Sequence, residues 1–243
     1  MTFCVQAGWD DVPHLTAKQK SDLLAAFPEH ERKARSQGVP MLGSGAVFPI
    51  DEADITCEPR DVPRHWAQIV GIDFGWDHPT AAARIAWDRD NDAIYLTSVY
   101  RRSKEVPVIH AAAVKAWGNW IPVSWPHDGL QTDKGSGEQL AKQYRDTGLN
   151  MLDEKASHEE GGNGVEAGIM DILERMRTGR FKVFAGLNDW FEELRMYHRK
   201  DGQIVKERDD LMSATRYAVM MRRFAITQPS AALSRRPRLG TVA

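Results

Sequence analysis

The chain has 243 residues, of which 42% are hydrophobic and 27% charged, and this composition predicts a globular protein with one sizeable domain plus appendages, or two small domains. The 32 basic residues nearly balance the 34 acidic ones, for a net charge of −2, so the overall charge gives no support to nucleic-acid binding. Two cysteines are too few for a disulfide scaffold, and neither a signal peptide nor an apolar run of about 20 residues occurs, which predicts an intracellular protein without a membrane span.

The first 60 residues are predicted to form a mostly irregular linker segment. Within it, Thr16 and Gln19 match a capping box at the start of one helix, which a proline ends. A charged stretch then continues as a short exposed helix to Gly38. The Gly- and Pro-rich sequence that follows predicts a loop with room for one short strand at 46–48.

From Trp66 onward the sequence alternates between strand and helix patterns. Apolar runs predict strands at about 68–74, 80–87 and 93–100, and the turn DRDND joins the last two. A helix is predicted over 105–120, followed by a short buried strand with the sequence IPVSW. This order of elements is typical of an α/β sheet domain.

The second half of this domain is predicted to alternate helices with short strands. The predicted elements are a helix at 136–148 capped by Ser136, a strand at 149–154, a helix at 165–177, a strand at 180–184, a helix at 187–197, an Asp-Gly hairpin at 197–207 and a final helix capped by Asp209 or Asp210. The core domain is expected over 61–226, and 227–243 has the composition of a disordered tail. Six arginines and no acid occur from Arg216 onward, a layout that can bind phosphate locally but is more typical of a solvated helix end and tail.

Four aspartates stand at element ends, where side chains can point into a cleft. Asp73 lies near the end of the first strand, Asp128 follows IPVSW, and Asp209 and Asp210 open the last helix. Any one of them alone is typical of an ordinary element end. Brought together, carboxylates repel one another and need a cation, and ligands with oxygen donors alone favour Mg²⁺ or Mn²⁺. Two such ions about 4 Å apart can cleave a phosphodiester bond, so we hypothesise that metal ions compensate the buried charge of Asp73.

Three segments carry a closer resemblance: VGIDFGWDHPTAA, SWPHDG and KERDDLMSATRYAVMMRR. Their acids, on the first strand, a middle strand and the final helix, are arranged as in RNase H-like nucleases, and together the segments resemble the nuclease domain of a tailed-bacteriophage terminase large subunit. The upstream sequence GWDDVPHLTAKQKSDLLAAFPEHERKARSQGVPMLGSGAVFP resembles the connection that follows the ATPase domain in that family. The resemblance covers about residues 8–224.

The resemblance implies an RNase H-like mixed central sheet flanked by helices, with an extended N-terminal segment. It also implies an endonuclease that uses two Mg²⁺ or Mn²⁺ ions to cut concatemeric viral double-stranded DNA during genome packaging in the host cell cytoplasm. The implied partners are the terminase ATPase domain, the small terminase subunit and the portal, with no membrane contact.

The resemblance also assigns roles to individual acids. Asp73, Asp128 and Asp210 match the catalytic, metal-binding triad of the family, and Asp209 is a second choice at the helix position. Asp77 is either an accessory ligand or the first residue of an Asx turn. Ser213 departs from the family pattern, since many relatives have an acid there, so the resemblance implies no ligand at that position.

Other functions remain open at this point. No G-x-x-x-x-G-K-[ST] sequence occurs, so no segment is predicted to cradle ATP phosphates in the usual way, and we expect the chain to be a C-terminal portion of a terminase. An RNase H-like resolvase or transposase is one alternative, against which the N-terminal resemblance argues. A packaging-motor interaction module with a decayed nuclease site is the other, against which the presence of all three acids argues.

Overall fold

The computed structural model describes residues 7–27, 32, 35–38, 45–130 and 139–230, and for Asp128 and Leu130 it describes the backbone alone. The helices are α1 (Ala17–Ala26), α2 (Glu52–Ile55), α3 (Pro107–Lys115), α4 (Leu140–Asp146), α5 (Val165–Arg177), α6 (Asn188–Met196) and α7 (Asp210–Met220). The strands are β1 (Thr56–Cys57), β2 (Ala67–Asp73), β3 (Thr80–Asp88), β4 (Ala93–Arg102), β5 (Val123–Ser124), β6 (Phe181–Phe184), β7 (Arg199–Lys200) and β8 (Gln203–Ile204). Short 3₁₀ helices lie at Trp9–Asp11, His127–Leu130 and Arg222–Phe224.

A six-stranded mixed sheet forms the centre of the fold, in the order β1-β6-β4-β3-β2-β5. Strands β2, β3 and β4 are antiparallel neighbours, because their connections are too short for a crossover. Strand β5 runs parallel to β2, and β6 runs parallel to β4. The expected α/β class, with a mixed sheet flanked by helices, is therefore confirmed.

Strand β2 is buried on both faces, which explains why its sequence is a nearly continuous apolar run. Ala67 and Ile69 belong to the core that contains α5, α6 and α7. Val70 and Ile72 project to the other face and pack against α3 and α4. Asp73 ends this run, and its register with Ala81 places it on the same face as Ile69, the face that α7 covers.

Helix α7 lies directly on β2 because Gly71 has no side chain. A Cβ atom built at Gly71 would lie 2.0 Å from the carbonyl oxygen of Ala214 and 2.6 Å from the amide nitrogen of Ala218. Beyond the other end of the helix, Ile226 pairs with Gln68 near the start of β2. Helix α7 therefore runs antiparallel to β2, and its first residue lies toward the end of the strand.

Several predicted elements are confirmed. Thr16 and Gln19 form the expected capping box, in which the Gln19 amide donates to Oγ1 of Thr16 and the Thr16 amide donates to Oε1 of Gln19. The hairpin β7–β8 turns at Asp201 and Gly202, whose φ angles of 51° and 78° are the left-handed values that an Asp-Gly turn adopts. The strands predicted around the DRDND turn are β3 and β4.

Other predicted elements are shorter than expected. The helix predicted over 105–120 is limited to α3, because Pro107 occupies its first turn and Gly118 adopts a φ of 143° shortly after its end. The strands predicted at 149–154 and 46–48 are reduced to single bridges, Met151 with Val123 and Ala46 with His198. Ser136 lies outside the described residues, and Gln139 occupies the position before α4.

The hydrophobic core extends N-terminal to the domain boundary expected at residue 61. Val47, Phe48 and Ile55 are buried in the core that includes α7, and β1 pairs with β6 at the edge of the sheet. Part of the predicted linker therefore belongs to the folded domain. Within the described part of the chain, no helix combines the length and the apolar character needed to cross a membrane.

Candidate active site

Two of the predicted aspartates lie at the same end of the sheet. Asp73 is the last residue of β2, and Asp210 is the first residue of α7. Helix α7 runs antiparallel to β2, and its residue Ala214 lies over Gly71. Asp210 is one helical turn before Ala214, so it lies toward the end of β2, where Asp73 projects. Asp73 is half-buried, and Asp210 is 8% exposed. The fold thus directs both carboxylates to one end of the β2–α7 contact.

The backbone of Asp128 reaches the same end of the sheet. Strand β5 pairs in parallel with β2, so both strands leave the sheet in the same direction. Asp128 lies in the 3₁₀ helix that follows β5, and a Cβ atom built on its neighbour Gly129 would lie 3.0 Å from Cε2 of Phe74, the residue after Asp73. The side chain of Asp128 is outside the described atoms, so its part in the site stays a prediction.

Asp209 and Asp210 form an acidic pair that burial makes costly. Burial raises the pKa of the Asp210 carboxyl above its usual range, and the adjacent charge of Asp209 raises it further, whereas Arg101 and His78 lower it. Burial also raises the pKa of Asp209, although its own backbone amide, Lys206, Arg216 and His78 act against this shift. An oxygen-rich position of this kind is stabilised by an added cation.

Glu193, which is not among the predicted site residues, is a buried acid beside the first turn of α7. It lies on α6 and is 0% exposed. Its Oε2 accepts hydrogen bonds from the backbone amides of Leu211 at 2.7 Å and Met212 at 3.4 Å, and its Oε1 accepts one from Nη1 of Arg101 at 2.7 Å. Burial raises the pKa of Glu193 to about 7, and the charge of Asp210 contributes, while the Leu211 amide and Arg101 lower it.

The cap of α7 therefore differs from the prediction. Asp209 occupies the N-cap position but makes no side-chain capping hydrogen bond, and Asp210 is already helical. Glu193 supplies the capping oxygen from another helix, so neither aspartate is used for that purpose. A signal for Glu193 existed in the sequence: it lies three residues after Trp190 and one before Leu194, on the buried face of an amphipathic helix, where an acid is rare.

The loop between β2 and β3 borders the acids. Gly75 and Thr80 close it, with the Gly75 amide donating to Oγ1 of Thr80 and the Thr80 hydroxyl donating to the Gly75 carbonyl. Asp77 and His78 are exposed in this loop. Because His78 lowers the pKa of both Asp209 and Asp210, it lies within electrostatic reach of them. Ser213 is one turn into α7, where its amide donates to the carbonyl of Asp209.

The donor set suits a hard divalent cation. The side chains of Asp73, Asp209 and Asp210 offer carboxylate oxygens alone, the ligands that Mg²⁺ and Mn²⁺ prefer. Among the side chains that the structure describes, no three His, Cys, Asp or Glu residues are grouped closely enough to hold a metal by themselves. Burial raises the pKa of both Asp209 and Asp210, and a bound cation would favour their charged forms. These residues therefore fit a metal site by the chemistry of their donor atoms.

Comparisons with known proteins place the chain in a family. The family described as "Terminase RNaseH-like domain" matches residues 70–222. The terminase large subunit of Salmonella phage P22 is 50% identical over 216 residues, which cover 88% of this chain and 43% of that protein. The corresponding protein of Enterobacteria phage LP7 is 49% identical over 213 residues, covering 87% of this chain and 45% of that protein. The chain thus spans less than half the length of these relatives.

Solved structures agree with this assignment. The nuclease domain of the P22 large terminase superposes with a TM-score of 0.72 at 49% identity, covering 76% of this chain and 96% of that domain. A large terminase from a thermophilic bacteriophage, with a TM-score of 0.57 at 16% identity, covers 86% of this chain and 53% of its own. The nuclease domain of the bacteriophage SPP1 large terminase with bound Mn, with a TM-score of 0.50 at 19% identity, covers 67% of this chain and 93% of its own. The last two likenesses are of fold. The predicted RNase H-like fold is confirmed, and the chain belongs to the terminase RNase H-like domain family.

Proposed function

We propose that this chain is a divalent-metal-dependent DNA endonuclease that cuts concatemeric viral double-stranded DNA during genome packaging. The observation that carries the proposal is the placement of Asp73 and Asp210 at one end of the β2–α7 contact, with Asp209 beside them. The 49% identity to a terminase nuclease domain supports the same activity. Two adjacent, partly buried carboxylates destabilise a fold unless a cation neutralises them, so such a pair favours cation binding.

Asp73, Asp128 and Asp210 are the proposed catalytic metal ligands, and two Mg²⁺ or Mn²⁺ ions are the proposed cofactors. Asp209 is the alternative to Asp210, and Asp77, which is exposed in the neighbouring loop, is a less favoured accessory ligand. When bound, such ions activate a water for attack on the phosphodiester and stabilise the leaving oxygen.

The chain's own residues hold these ligands in place. Asp73 is fixed by the β2–β3 ladder, and Asp210 by the first turn of α7, so both oxygens sit on rigid elements rather than loops. Glu193 ties that first turn to α6 through the Leu211 amide. Asp73, Asp209 and Asp210 are called the acidic cluster below, and the exposed His78 lies within electrostatic reach of its two helix residues, where its ring can contact a phosphate.

The wider role follows from the family. We propose that the protein works in the host cell cytoplasm with the terminase ATPase domain, the small terminase subunit and the portal. The relatives from phages P22 and LP7 are both terminase large subunits, which supports this role.

A plasmid cleavage assay tests the activity. The chain is expected to relax and linearise supercoiled plasmid weakly and with little sequence preference in Mn²⁺ or Mg²⁺, and to be inactive in excess chelator. Asp73→Asn and Asp210→Asn are expected to abolish cleavage. Asp90→Asn is the matched control, because Asp90 is exposed in the turn at the opposite end of the sheet. Cleavage that persists in chelator, or full activity in Asp210→Asn and Asp209→Asn alike, would contradict the proposal.

A further inference from the structure

Arg101 lies on the same face of the sheet as Asp73, two strands away. Asp73 pairs with Ala81, and Ala81 pairs with Arg101. Residues directly opposite each other in neighbouring strands project to the same side, so Arg101 projects toward α6 and α7. Its guanidinium is within electrostatic reach of Asp210, since it lowers the pKa of that carboxyl. A cation therefore borders the acidic cluster on the side away from β5.

Glu193 fixes the position of this cation. One oxygen of the Glu193 carboxylate binds Nη1 of Arg101 at 2.7 Å, and the other binds the Leu211 amide at 2.7 Å. A hydrogen bond between a guanidinium and a carboxylate is short and strong, and a fully buried carboxylate has little freedom to move. The two bonds hold the guanidinium at a set position relative to the first turn of α7.

Most of the Arg101 hydrogen-bonding capacity is unused by the described residues. An arginine has five N–H donors in a planar fork. Of these, the described part of the chain engages Nη1 alone, through Glu193. The side chain keeps 24% of its surface exposed, so its remaining donors are within reach of solvent. The guanidinium of Arg101 is therefore held by Glu193 through one nitrogen, and its other N–H groups can bind a second anion.

We propose that Arg101 binds a backbone phosphate of the DNA substrate beside the acidic cluster, and that Glu193 is the positioning residue that aims it. The inference rests on the nuclease function proposed above and names one contact within it. Carboxylates repel DNA phosphates, and the net charge of −2 supplies no general attraction. The guanidinium of Arg101, held next to these carboxylates, therefore supplies a local attraction for a phosphate that the net charge of the chain does not.

Salt-dependent DNA binding tests the contact. Binding of the full chain to a fluorescent double-stranded oligonucleotide is measured by anisotropy between low and moderate salt, with Ca²⁺ to occupy carboxylate oxygens. The variant is Arg101→Gln combined with Glu193→Gln, so that no buried carboxylate loses its partner. We expect an affinity about tenfold lower and a slope of log Kd against log salt that is smaller by about one.

Two further variants distinguish the effect of the Arg101 charge from the effect of the orientation of its guanidinium. Arg101→Lys keeps the charge without the fork, so the salt slope is expected to stay while the affinity falls. Glu193→Gln alone keeps Arg101 but removes the charge that orients it, so here too we expect an unchanged salt slope and a lower affinity. Arg180→Gln is the matched control, since Arg180 is a partly exposed arginine paired with Asp92 and Glu174 at the opposite end of the sheet, and it should leave slope and affinity unchanged.

The outcomes are distinct. An unchanged salt slope in the double variant, while the wild type binds DNA, would overturn the inference and leave Arg101 as the ion-pair partner of Glu193. Unchanged affinity in Glu193→Gln would remove the positioning role. A wild-type chain that neither binds nor cleaves DNA with any divalent ion would overturn the nuclease function itself, which is a different result.

Discussion

Gly71 of β2 lies directly beneath Ala214 of α7, so closely that a Cβ atom at Gly71 would be 2.0 Å from the Ala214 carbonyl oxygen. This contact sets how far Asp210 stands from Asp73, because both residues lie at the ends of the two elements it joins. The atoms nearest to such a Cβ belong to the backbone of Ala214 and Ala218, so rotation of a side chain cannot relieve the clash.

Gly71→Ala is therefore expected to push α7 away from the sheet. The predicted cost is about 2–3 kcal/mol of unfolding free energy, the size of an overpacked core, together with loss of cleavage. Urea unfolding measures the first effect and the plasmid assay the second. Gly164→Ala is the control, since nothing lies within 4 Å of a Cβ atom there, and it should change the free energy by less than about 0.5 kcal/mol. A stable, active Gly71→Ala would contradict this account of the α7 contact.

Asp210→Asn is expected to make the metal-free protein equally or more stable. Burial and the neighbouring charge of Asp209 both raise the pKa of the Asp210 carboxyl, so the folded state disfavours its charged form. Replacing the carboxylate by a neutral amide removes that unfavourable charge. Thermal melting in chelator should show an equal or higher Tm, and the Tm increase that Mn²⁺ gives the wild type should be lost. Asp209→Asn should keep most of that increase. The reverse pattern, loss with Asp209→Asn and retention with Asp210→Asn, would assign the ligand to Asp209.

Glu193 is expected to make stability depend on pH. Its folded pKa of about 7 lies above the ordinary value of 4.5. Between these values the unfolded chain loses the proton first, so the free energy of unfolding falls as the pH rises from 4.5 to 7, by about 3 kcal/mol at most. Burial also raises the pKa of Asp209 and Asp210, so these two carboxyls act in the same direction.

Glu193→Gln should remove the Glu193 part of this dependence. Urea unfolding at pH 5 and pH 8 gives the difference for wild type and variant. Glu192→Gln is the matched control, an exposed neighbour on the same helix that pairs with Arg208. If Glu193→Gln shows the wild-type difference between the two pH values, the carboxyl of Glu193 does not carry the dependence.

A crystal soaked in Mn²⁺ should show the carboxylates of Asp73, Asp128 and Asp210 within about 4–6 Å of a common point, because two-ion chemistry requires it. Anomalous scattering locates the ions independently of the protein atoms. Any of the three carboxylates more than about 10 Å from the others would remove it from the site, unless Asp209 replaces Asp210.

The sequence predicted those parts of the fold that short-range rules determine. The DRDND turn between β3 and β4, the capping box at Thr16 and the Asp-Gly hairpin each depend on residues a few positions apart. Asp73 stood out for a related reason, since an acid that ends a run buried on both faces needs an explanation within that run.

The parts that could not be predicted depend on contacts between distant segments. Local capping rules assigned the start of α7 to Asp209 or Asp210, but Glu193 caps it from 18 residues away. Arg101 is an unremarkable strand residue until the register places it in line with Asp73. The bridges at Ala46 and Met151 were overestimated as strands, because an apolar stretch does not reveal how many partners it will find.

The position of β1 has a consequence for how the domain can be shortened. A truncation at the expected boundary of residue 61 would remove β1 and leave β6 as the outer strand of the sheet, with its hydrogen-bonding groups open to other molecules. It would also remove Phe48 and Ile55 and expose the apolar surface that they cover. Such a fragment would retain every proposed catalytic acid and yet be prone to associate edge to edge, so a soluble minimal nuclease has to begin upstream of Val47.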